Sequence, residues 1–224
     1  MTRPTIVFDL DGTLADTAPD LYATVCWLLI REGRNRVPYE RIKTLIGDGA
    51  APMIRGGFGD TGGVPEEDEF KRLVDLFMGR YIDHLADRSE PFAGALDAIR
   101  RLKARGAIVA ICTNKRADFT ERQFAFWGIR PMFDAVKCAD SFPYRKPDGR
   151  HLTGTIEAAG GDPSNAVMIG DTASDTGAAR DAGVPVIAVT FGYGKTPARE
   201  LDADRWIDHF SQLDRAVDEL VSWG

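Results

Sequence analysis

Two aspartates near the start of the chain, Asp9 and Asp11, have the spacing of a paired carboxylate site. They follow the short apolar run Ile6-Val7-Phe8, and Gly12 and Thr13 come directly after them. A strand that ends in a glycine-containing turn would aim both carboxylates at one bound group, so that one acts as nucleophile and the other as proton donor. Their negative charge would also call for a hard cation between the protein and an anionic substrate. The same five residues are compatible with an ordinary Asx turn, so the rest of the chain must supply the partners.

Composition and charge narrow the class of protein. The chain has 224 residues, 44% of them hydrophobic and 28% charged, a balance typical of a globular protein. A net charge of −6 and the lack of a long Lys/Arg run argue against nucleic acid as a partner. The sequence shows no signal segment and no apolar stretch of membrane-spanning length. Three cysteines, Cys26, Cys112 and Cys138, without metal-type spacing are typical of free thiols in a reducing compartment. We therefore expect a cytoplasmic protein with a small-molecule partner, and neither nucleic acid nor a membrane.

Short apolar runs alternate with helical patterns over most of the chain. The runs predicted as strands buried on both faces are Ile6–Leu10, Ala107–Cys112, Ala135–Lys137, Ala166–Ile169 and Val186–Thr190. Apolar residues at helical spacing lie between several of them, for example ahead of Gly106 and Gly183, which are predicted to end helices. This alternation predicts an α/β fold with a doubly wound parallel sheet and helices on both faces.

Residues 16–88 interrupt the alternation. They show helical periodicity without a convincing strand, and they are too many for a simple crossover. We predict that they form an inserted α-helical cap subdomain, and that residues 1–15 and 89–224 form the catalytic core. Seven glycines lie between residues 47 and 63. A loose connection between helices is the interpretation we favour for most of them, and a substrate-facing loop at Gly47-Asp48-Gly49 is the alternative.

Polar residues follow three of the predicted strands. The first strand delivers Asp9 and Asp11, the second delivers Thr113-Asn114, and a later one delivers Gly170-Asp171, with Asp175 four residues on. The carboxyl ends of parallel strands open on one edge of a sheet, where such folds bind ligands. Each residue also has a structural interpretation: Thr113 as a helix N-cap, and the two later aspartates as first-turn helix residues.

Grouping these carboxylates would be unfavourable without cations. Like charges about 4 Å apart repel by roughly 4 kcal/mol at an effective dielectric near 20. Mg²⁺, which favours carboxylate, carbonyl and phosphate oxygens, is the predicted ion. Lys146, in the run Arg145-Lys146-Pro147-Asp148, is a candidate for a second positive charge, although a lone lysine is usually a solvated surface residue.

The chain resembles the haloacid dehalogenase superfamily, and within it the phosphoglycolate-phosphatase-like branch. The resemblance covers nearly the whole chain and depends on four motifs in order, which are Asp9-Leu10-Asp11-Gly12-Thr13-Leu14, Thr113-Asn114-Lys115, Lys146-Pro147-Asp148 and Gly170-Asp171-Thr172-Ala173-Ser174-Asp175. Each motif is weak alone, but together they are specific. The resemblance implies a Rossmann-like core with a mobile helical cap.

The resemblance also implies a role for each matching residue. Asp9 would attack phosphorus and form an aspartyl-phosphate, while Asp11 would protonate the leaving oxygen and then activate water. Mg²⁺ would be held by the Asp9 carboxylate, the Asp11 backbone carbonyl and Asp171, with Asp175 supporting through water or by orienting its neighbours. The catalytic residues would be Asp9, Asp11, Thr113 and Lys146. The phosphoryl oxygens would be bound by Thr113, Asn114, Lys146 and Gly12.

Asp11 separates the enzymatic alternatives. Dehalogenases and phosphonoacetaldehyde hydrolases of this superfamily lack the second aspartate, so a phosphate ester is the expected substrate, with 2-phosphoglycolate as the first candidate. Its carboxylate would need a cation in the cap. Lys43 and Arg55 are candidates, although we favour the interpretation of both as exposed helix residues. Pyrimidine nucleotides, small sugar phosphates and pyrophosphate stay open. A sugar-phosphate mutase of the β-phosphoglucomutase type is the second hypothesis, and a non-catalytic binding protein on the same scaffold is the third.

Overall fold

The computed structural model describes residues 2–47 and 49–223. The strands are β1 (Thr5–Phe8), β2 (Ala15–Asp16), β3 (Glu90–Pro91), β4 (Ile108–Cys112), β5 (Ala135–Lys137), β6 (Ala166–Gly170), β7 (Val186–Val189) and β8 (Arg205–Ile207). The α-helices are α1 (Ala18–Arg31), α2 (Tyr39–Lys43), α3 (Ala50–Gly59), α4 (Glu67–His84), α5 (Ala95–Ala104), α6 (Ala117–Trp127), α7 (Gly149–Ala158), α8 (Ala173–Ala182) and α9 (Leu213–Asp218). No helix within the described ranges has the length and apolar character needed to cross a bilayer.

Six strands form one parallel sheet in the order β5-β4-β1-β6-β7-β8. Strand β1 lies between β4 and β6, and all its residues are buried. Successive side chains of β1 point to opposite faces, since Ile6 and Phe8 join one apolar cluster and Val7 joins another. The predicted α/β fold with a doubly wound parallel sheet is therefore confirmed.

The five predicted strands correspond to β1, β4, β5, β6 and β7, with ends that agree within two residues. Strand β8 was not predicted. Its sequence, Arg205-Trp206-Ile207, lies at the sheet edge with one exposed, one half-buried and one buried residue. An edge strand of three residues carries too little apolar sequence to stand out from a loop.

Helices α1 to α4 lie in the segment that interrupts the sheet, and they share a buried apolar cluster that Phe119 of α6 and Tyr193 also join. The glycine-rich stretch is not a loose connection throughout, because Gly56, Gly57 and Gly59 belong to α3. Gly57 permits close approach of α1, since a Cβ there would lie 3.2 Å from Val25. The alternative loop at Gly47-Asp48-Gly49 includes Asp48, which lies outside the described residues.

The chain enters and leaves this segment at one place. Strands β2 and β3 form a two-stranded antiparallel ribbon in which Ala15 pairs with Pro91 and Asp16 with Glu90. Buried Asp20 reinforces the junction, because its Oδ2 accepts hydrogen bonds from the backbone nitrogens of Arg88 and Ser89 at 3.0 and 2.8 Å. The segment is thus attached right beside the turn that carries Asp9.

Candidate active site

The turn after β1 presents Asp9 and Asp11 at the carboxyl edge of the sheet. The Asp9 backbone nitrogen donates to the Ile169 carbonyl at 2.9 Å, which continues the pairing of β1 with β6. The chain then folds back on itself, because the Leu10 carbonyl accepts from the nitrogens of Leu14 and Ala15, each at 3.0 Å. Asp9 is 4% exposed, while the Asp11 side chain keeps 14% of its surface open to solvent.

Gly12 is required by the geometry of this turn. Its φ of +84° lies in the left-handed region that other residues adopt only with strain. A Cβ at this position would also collide with the carboxylate of Asp171 and would lie 2.7 Å from the Tyr193 ring. The lack of a side chain therefore allows the first aspartate turn and Asp171 to approach each other.

Strand β6 brings Asp171 and Asp175 to the same edge. Thr172 and Asp175 form a capping box at the start of α8, in which Asp175 Oδ2 accepts from the Thr172 nitrogen at 2.9 Å and its hydroxyl at 2.7 Å. Asp171 accepts from the Thr13 hydroxyl and the Tyr193 nitrogen, both at 2.7 Å. One carboxylate oxygen from each of Asp9, Asp171 and Asp175 lies within 4.8 Å of the other two.

Lys146 is buried inside this carboxylate group. Its Nζ lies 2.8 Å from Asp9 Oδ1 and donates to Asp175 Oδ1 at 2.6 Å, with 1% of the side chain exposed. Burial alone would lower the pKa of Lys146, but the charges of Asp175 and Asp9 outweigh burial and raise it above its ordinary value. Lys146 therefore stays charged in the site, and the interpretation of it as a solvated surface residue is wrong.

One lysine does not neutralise all the acidic groups. Burial raises the pKa of Asp9 to about 6, against the opposing effect of Lys146. Burial, with the neighbouring charges of Asp175 and Asp9, also raises the pKa of Asp171 well above its ordinary value. Asp9 Oδ1 is buried and accepts no hydrogen bond of good geometry from the described residues. The buried carboxylates therefore need more positive charge than Lys146 supplies if they are all to be ionised. A divalent cation such as Mg²⁺, which prefers oxygen ligands, fits this site.

The end of β4 delivers Thr113 and Asn114 next to Asp9. Thr113 is 1% exposed, and its Oγ1 accepts from the Lys115 nitrogen at 3.2 Å. The Asn114 side chain donates to the Lys146 carbonyl at 3.0 Å and to the Gly47 carbonyl at 3.3 Å. The amide hydrogens of Asn114 thus hold the Lys146 backbone and the insertion, while its Oδ1 is buried without a partner among the described residues.

Two residues near Asp11 were not assigned a role from the sequence. Lys115 donates to Asp11 Oδ1 at 2.9 Å and to the hydroxyl of Tyr81 at 2.7 Å. The position of Lys115 directly after Thr113-Asn114 was a usable signal, since it follows the same strand end. Tyr81 carried no such signal, because its helical spacing with Phe77 indicates only a core position on α4.

A third residue that the sequence did not single out for a role is Tyr193. Its backbone nitrogen holds Asp171, its hydroxyl donates to Asp16, and the same hydroxyl accepts from the Ala18 nitrogen at 3.1 Å. Tyr193 therefore connects the carboxylate group to the ribbon and to the first helix of the insertion. The only sequence signal was the flanking pair Gly192 and Gly194, which marks a loop.

A pocket opens between the strand ends and helices α3, α4 and α6. Its lining combines polar groups of the core with apolar groups of the insertion, which are Asp9, Asp11, Leu21, Ile46, Gly47, Gly49, Ala50, Met53, Phe77, Met78, Tyr81, Thr113, Asn114, Lys115, Arg116 and Phe119. Lys43 and Arg55 are not among them. Lys43 lies 5.4 Å from the centre of the Tyr193 ring, and Arg55 pairs with Glu67 at 3.1 Å.

Comparisons with known proteins agree with this geometry. Residues 6–189 match the family model of the haloacid dehalogenase-like hydrolases. The chain is 39% identical to a phosphoglycolate phosphatase of Caulobacter vibrioides over 97% of this chain and 92% of the relative. It is also 39% identical to one of Agrobacterium fabrum, over 99% and 95%.

Comparison with a solved structure also indicates a likeness over nearly the whole chain. A protein of Haemophilus somnus described as a predicted phosphoglycolate phosphatase superposes with a TM-score of 0.90 at 26% identity, over 97% of this chain and 99% of the other. The likeness therefore spans the sheet, the insertion and the carboxylate site alike. This chain belongs to the haloacid dehalogenase-like hydrolase family.

Proposed function

We propose that the protein is a Mg²⁺-dependent phosphatase that hydrolyses a small phosphate monoester through an aspartyl-phosphate on Asp9. The observation that carries the proposal is the meeting of Asp9, Asp171, Asp175 and Lys146 at the sheet edge, with Asp11 at the adjoining pocket. Phosphoryl transfer needs positioning and neutralisation of charge more than elaborate covalent chemistry. This arrangement supplies both.

Asp9 and Asp11 have separate tasks in the proposed reaction. Asp9 attacks phosphorus, and the bond from phosphorus to the ester oxygen breaks. Asp11, the more exposed of the two, gives its proton to that oxygen and afterwards takes one from the water that cleaves the aspartyl-phosphate. The second step returns Asp9 as a free carboxylate and releases inorganic phosphate.

The remaining site residues bind the phosphoryl group or position others. Thr113 and Lys146 flank Asp9 and supply a hydroxyl and a fixed positive charge to the phosphoryl oxygens. The backbone N–H of Asn114 completes the proposed phosphate site. The expected contact from Gly12 is not available, because the Gly12 backbone nitrogen donates to the Ala15 carbonyl at 2.9 Å, and Gly12 serves the shape of the turn instead. The Asn114 side chain acts through Lys146, because its amide hydrogens hold the Lys146 and Gly47 carbonyls.

Asp9, the Asp11 backbone carbonyl and Asp171 are the residues that would hold Mg²⁺. When bound, the ion would neutralise charge that develops on the phosphoryl oxygens. Asp175 has its Oδ2 occupied by Thr172 and the Asp171 nitrogen, and its Oδ1 by Lys146. Its proposed role is therefore to orient Lys146 and the Asp171 turn.

Residues 16–88 would form the cap that covers this site, and residues 1–15 and 89–224 the core. The shared apolar cluster of helices α1 to α4 and the pairing of β2 with β3 at the base of the segment support this division. The insertion supplies much of the apolar pocket lining. The part of the substrate beyond the phosphate is thus proposed to lie against the cap.

The proposed substrate is 2-phosphoglycolate. The names of the Caulobacter and Agrobacterium relatives support it. A net charge of −6 supports a small ester rather than nucleic acid as the partner. We also propose a cytoplasmic location, since all three cysteines are buried free thiols.

A phosphate-release screen tests the proposal. Purified protein is assayed with Mg²⁺ against 2-phosphoglycolate, pyrimidine nucleotides, sugar phosphates and pyrophosphate, ranked by kcat/KM. The expected result is stoichiometric release of phosphate, with 2-phosphoglycolate first. Another ester in first place would overturn the substrate and leave the chemistry standing. A phosphorylated sugar that isomerises without net release would instead support the mutase, and no turnover of any ester would overturn the enzyme itself.

A further inference from the structure

Lys115 is a buried cation that contacts Asp11, whereas Lys146 contacts Asp9. Its side chain is 4% exposed, and it lines the same pocket as Asp9 and Asp11. Burial alone would lower the pKa of Lys115, but Asp11 and Tyr81 outweigh burial and raise it above its ordinary value. The pocket therefore contains a fixed positive charge that the phosphate chemistry of Asp9 does not use.

Two donors of Lys115 and Tyr81 have no acceptor among the described residues. An ammonium group has three hydrogens, and Lys115 donates to two acceptors, Asp11 Oδ1 at 2.9 Å and the Tyr81 hydroxyl at 2.7 Å. Tyr81 accepts that bond, and its own O–H has no acceptor among the described residues. Tyr81 is 2% exposed. One N–H of Lys115 and the O–H of Tyr81 are thus available side by side, as the two oxygens of a carboxylate require.

The distance from the reacting atoms is also suitable. In the proposed reaction the ester oxygen contacts the Asp11 carboxylate at the moment it accepts the proton. Lys115 Nζ lies 2.9 Å from that carboxylate. An anionic group that is separated from the ester oxygen by a single carbon therefore falls within hydrogen-bond reach of Lys115, whereas a longer leaving group would carry its charge past it.

Other basic residues are less suitable for this task. Arg116 lines the pocket, but its guanidinium is half exposed and is paired with Asp118 at 2.9 Å. Lys43 and Arg55, the candidates from the sequence, lie outside the pocket lining. Among the described lining residues, Lys115 is the buried cation on the leaving-group side.

We propose that Lys115 and Tyr81 bind a carboxylate carried one carbon beyond the ester oxygen, and that this pair selects α-carboxylated phosphate esters over neutral ones. The inference depends on the proposed function, because it assigns the leaving-group end of the same pocket. Lys115 comes from the core and Tyr81 from α4 of the insertion. The recognition therefore requires both parts of the molecule to be in contact.

A pair of nearly isosteric substrates tests this selection. One is 2-phosphoglycolate, and the other is the phosphate monoester of glycolamide, in which a neutral amide replaces the carboxylate. The wild-type protein is expected to prefer the first by roughly 10- to 100-fold in kcat/KM, the range for a charged hydrogen-bonded contact in a buried site. Lys115→Met should bring the ratio close to one, mainly through KM for 2-phosphoglycolate. Tyr81→Phe, which removes only the hydroxyl, should lower the ratio in the same direction.

Product inhibition provides a second readout that a purely structural role would not change. Glycolate should inhibit the wild-type protein competitively, and its inhibition constant should rise at least roughly tenfold in Lys115→Met while that of inorganic phosphate stays constant. Lys43→Met is the matched control, and its substrate ratio should equal that of the wild-type protein. Thermal unfolding of each variant checks that it is folded. If Lys115→Met does not fold, the change of substrate ratio in Tyr81→Phe tests the inference by itself.

Three results would overturn the inference. The first is an equal loss on both esters in Lys115→Met and Tyr81→Phe, which would mean that the pair acts only through Asp11. The second is a ratio that falls in Arg116→Met and not in Lys115→Met. The third is a wild-type protein that hydrolyses both esters equally well, in which case the phosphatase proposal stands. Release of phosphate from neither ester, while another ester of the screen is hydrolysed, would also overturn the inference and leave the phosphatase proposal standing, whereas only a lack of turnover of every ester would reject the phosphatase proposal itself.

Discussion

At the scale of single residues, Asp9 is buried, whereas the proposed reaction requires it to be ionised when it attacks phosphorus. Burial raises its pKa to about 6, and Lys146 at 2.8 Å opposes that rise. The ionised form of Asp9 is therefore unfavourable unless positive charge lies beside it. Replacing the carboxylate with an amide of the same shape tests the need for this charged group.

Asp9→Asn should lower kcat by at least about 10³-fold, because the amide cannot act as a nucleophile. Its melting temperature should stay close to that of the wild-type protein, since one of several crowded acidic groups is removed without a change in size. The measurements are phosphate release and thermal unfolding. Asp97→Asn, an exposed aspartate of α5 paired with Arg100, is the control and should keep full activity. Unchanged turnover in Asp9→Asn would reject the nucleophile assignment.

His151 provides a prediction for the pH dependence of stability. It is fully buried, and its Nδ1 accepts from the Lys146 backbone nitrogen at 3.3 Å. Burial, and next the charge of Lys146, lower its pKa from 6.5 to about 4. The unfolded chain therefore binds a proton at a higher pH than the folded one, so stability is lost as pH falls from about 6.5 towards 4.

Between pH 7 and pH 5 the wild-type protein should lose about 2 kcal/mol more unfolding free energy than His151→Gln, which has no titrating group. Urea unfolding at the two pH values measures the difference. The two remaining histidines, His84 and His209, are present in both proteins, so their contributions to the difference in unfolding free energy cancel. Parallel losses in the wild-type protein and the variant would show that His151 does not titrate in this range.

Most residues of the candidate site could be predicted from the sequence, but some could not. Asp9, Asp11, Thr113, Lys146, Asp171 and Asp175 were named from the sequence because they follow apolar strands or belong to ordered motifs, and the structure brings them to one sheet edge. Tyr81 was not named, because its hydroxyl reaches Lys115 only through packing of α4 against the core. Contacts of this kind between distant segments leave no local pattern in the sequence.

At the scale of elements, strands and helices differ in how clearly the sequence marks them. The central strands are continuous apolar runs because they are buried on both faces. The two-residue strands β2 and β3 carry no periodicity and could not be found. Helix α3 was obscured by its glycines, whose role is close packing against Leu45 and Val25 rather than flexibility.

The start of α8 supplies a prediction at this scale. Asp175 caps the helix and also holds Lys146, so Asp175→Ala removes a capping box and one partner of a buried cation. The unfolding free energy should fall by about 3 kcal/mol or more. Thr172→Val removes only the capping hydroxyl and should lower it by about 1 kcal/mol. Urea unfolding measures both changes, and equal losses would mean that the contact with Lys146 adds nothing to stability.

At the scale of the whole molecule, binding of the proposed metal ion at the acidic site would increase the stability of the fold. An ion that binds the folded chain and not the unfolded one stabilises it by mass action, by about 2.7 kcal/mol when its concentration is 100 times the dissociation constant. For a chain of this size that stabilisation raises the melting temperature by roughly 5–10 °C. Mg²⁺ should produce this shift, and EDTA should reverse it together with activity.

Asp171→Asn provides the control for the metal effect. The amide can keep the hydrogen bond from Thr13 but weakens ion binding, so the shift caused by Mg²⁺ should shrink to the level produced by general screening of surface charge. Differential scanning calorimetry with and without the ion measures it. An equal shift in the wild-type protein and Asp171→Asn would place the responsible ion elsewhere on the acidic surface.

The ribbon of β2 and β3 affects how the sequence of this protein could change in evolution. Because Ala15 pairs with Pro91, the outgoing and returning chains stand side by side at the base of the helical segment. A segment whose two ends already meet can be lengthened, shortened or exchanged without redirecting any strand of the large sheet. The position of this ribbon would therefore allow the helical segment, and with it the pocket wall it supplies, to change while the turn that carries Asp9 and Asp11 keeps its place at the sheet edge.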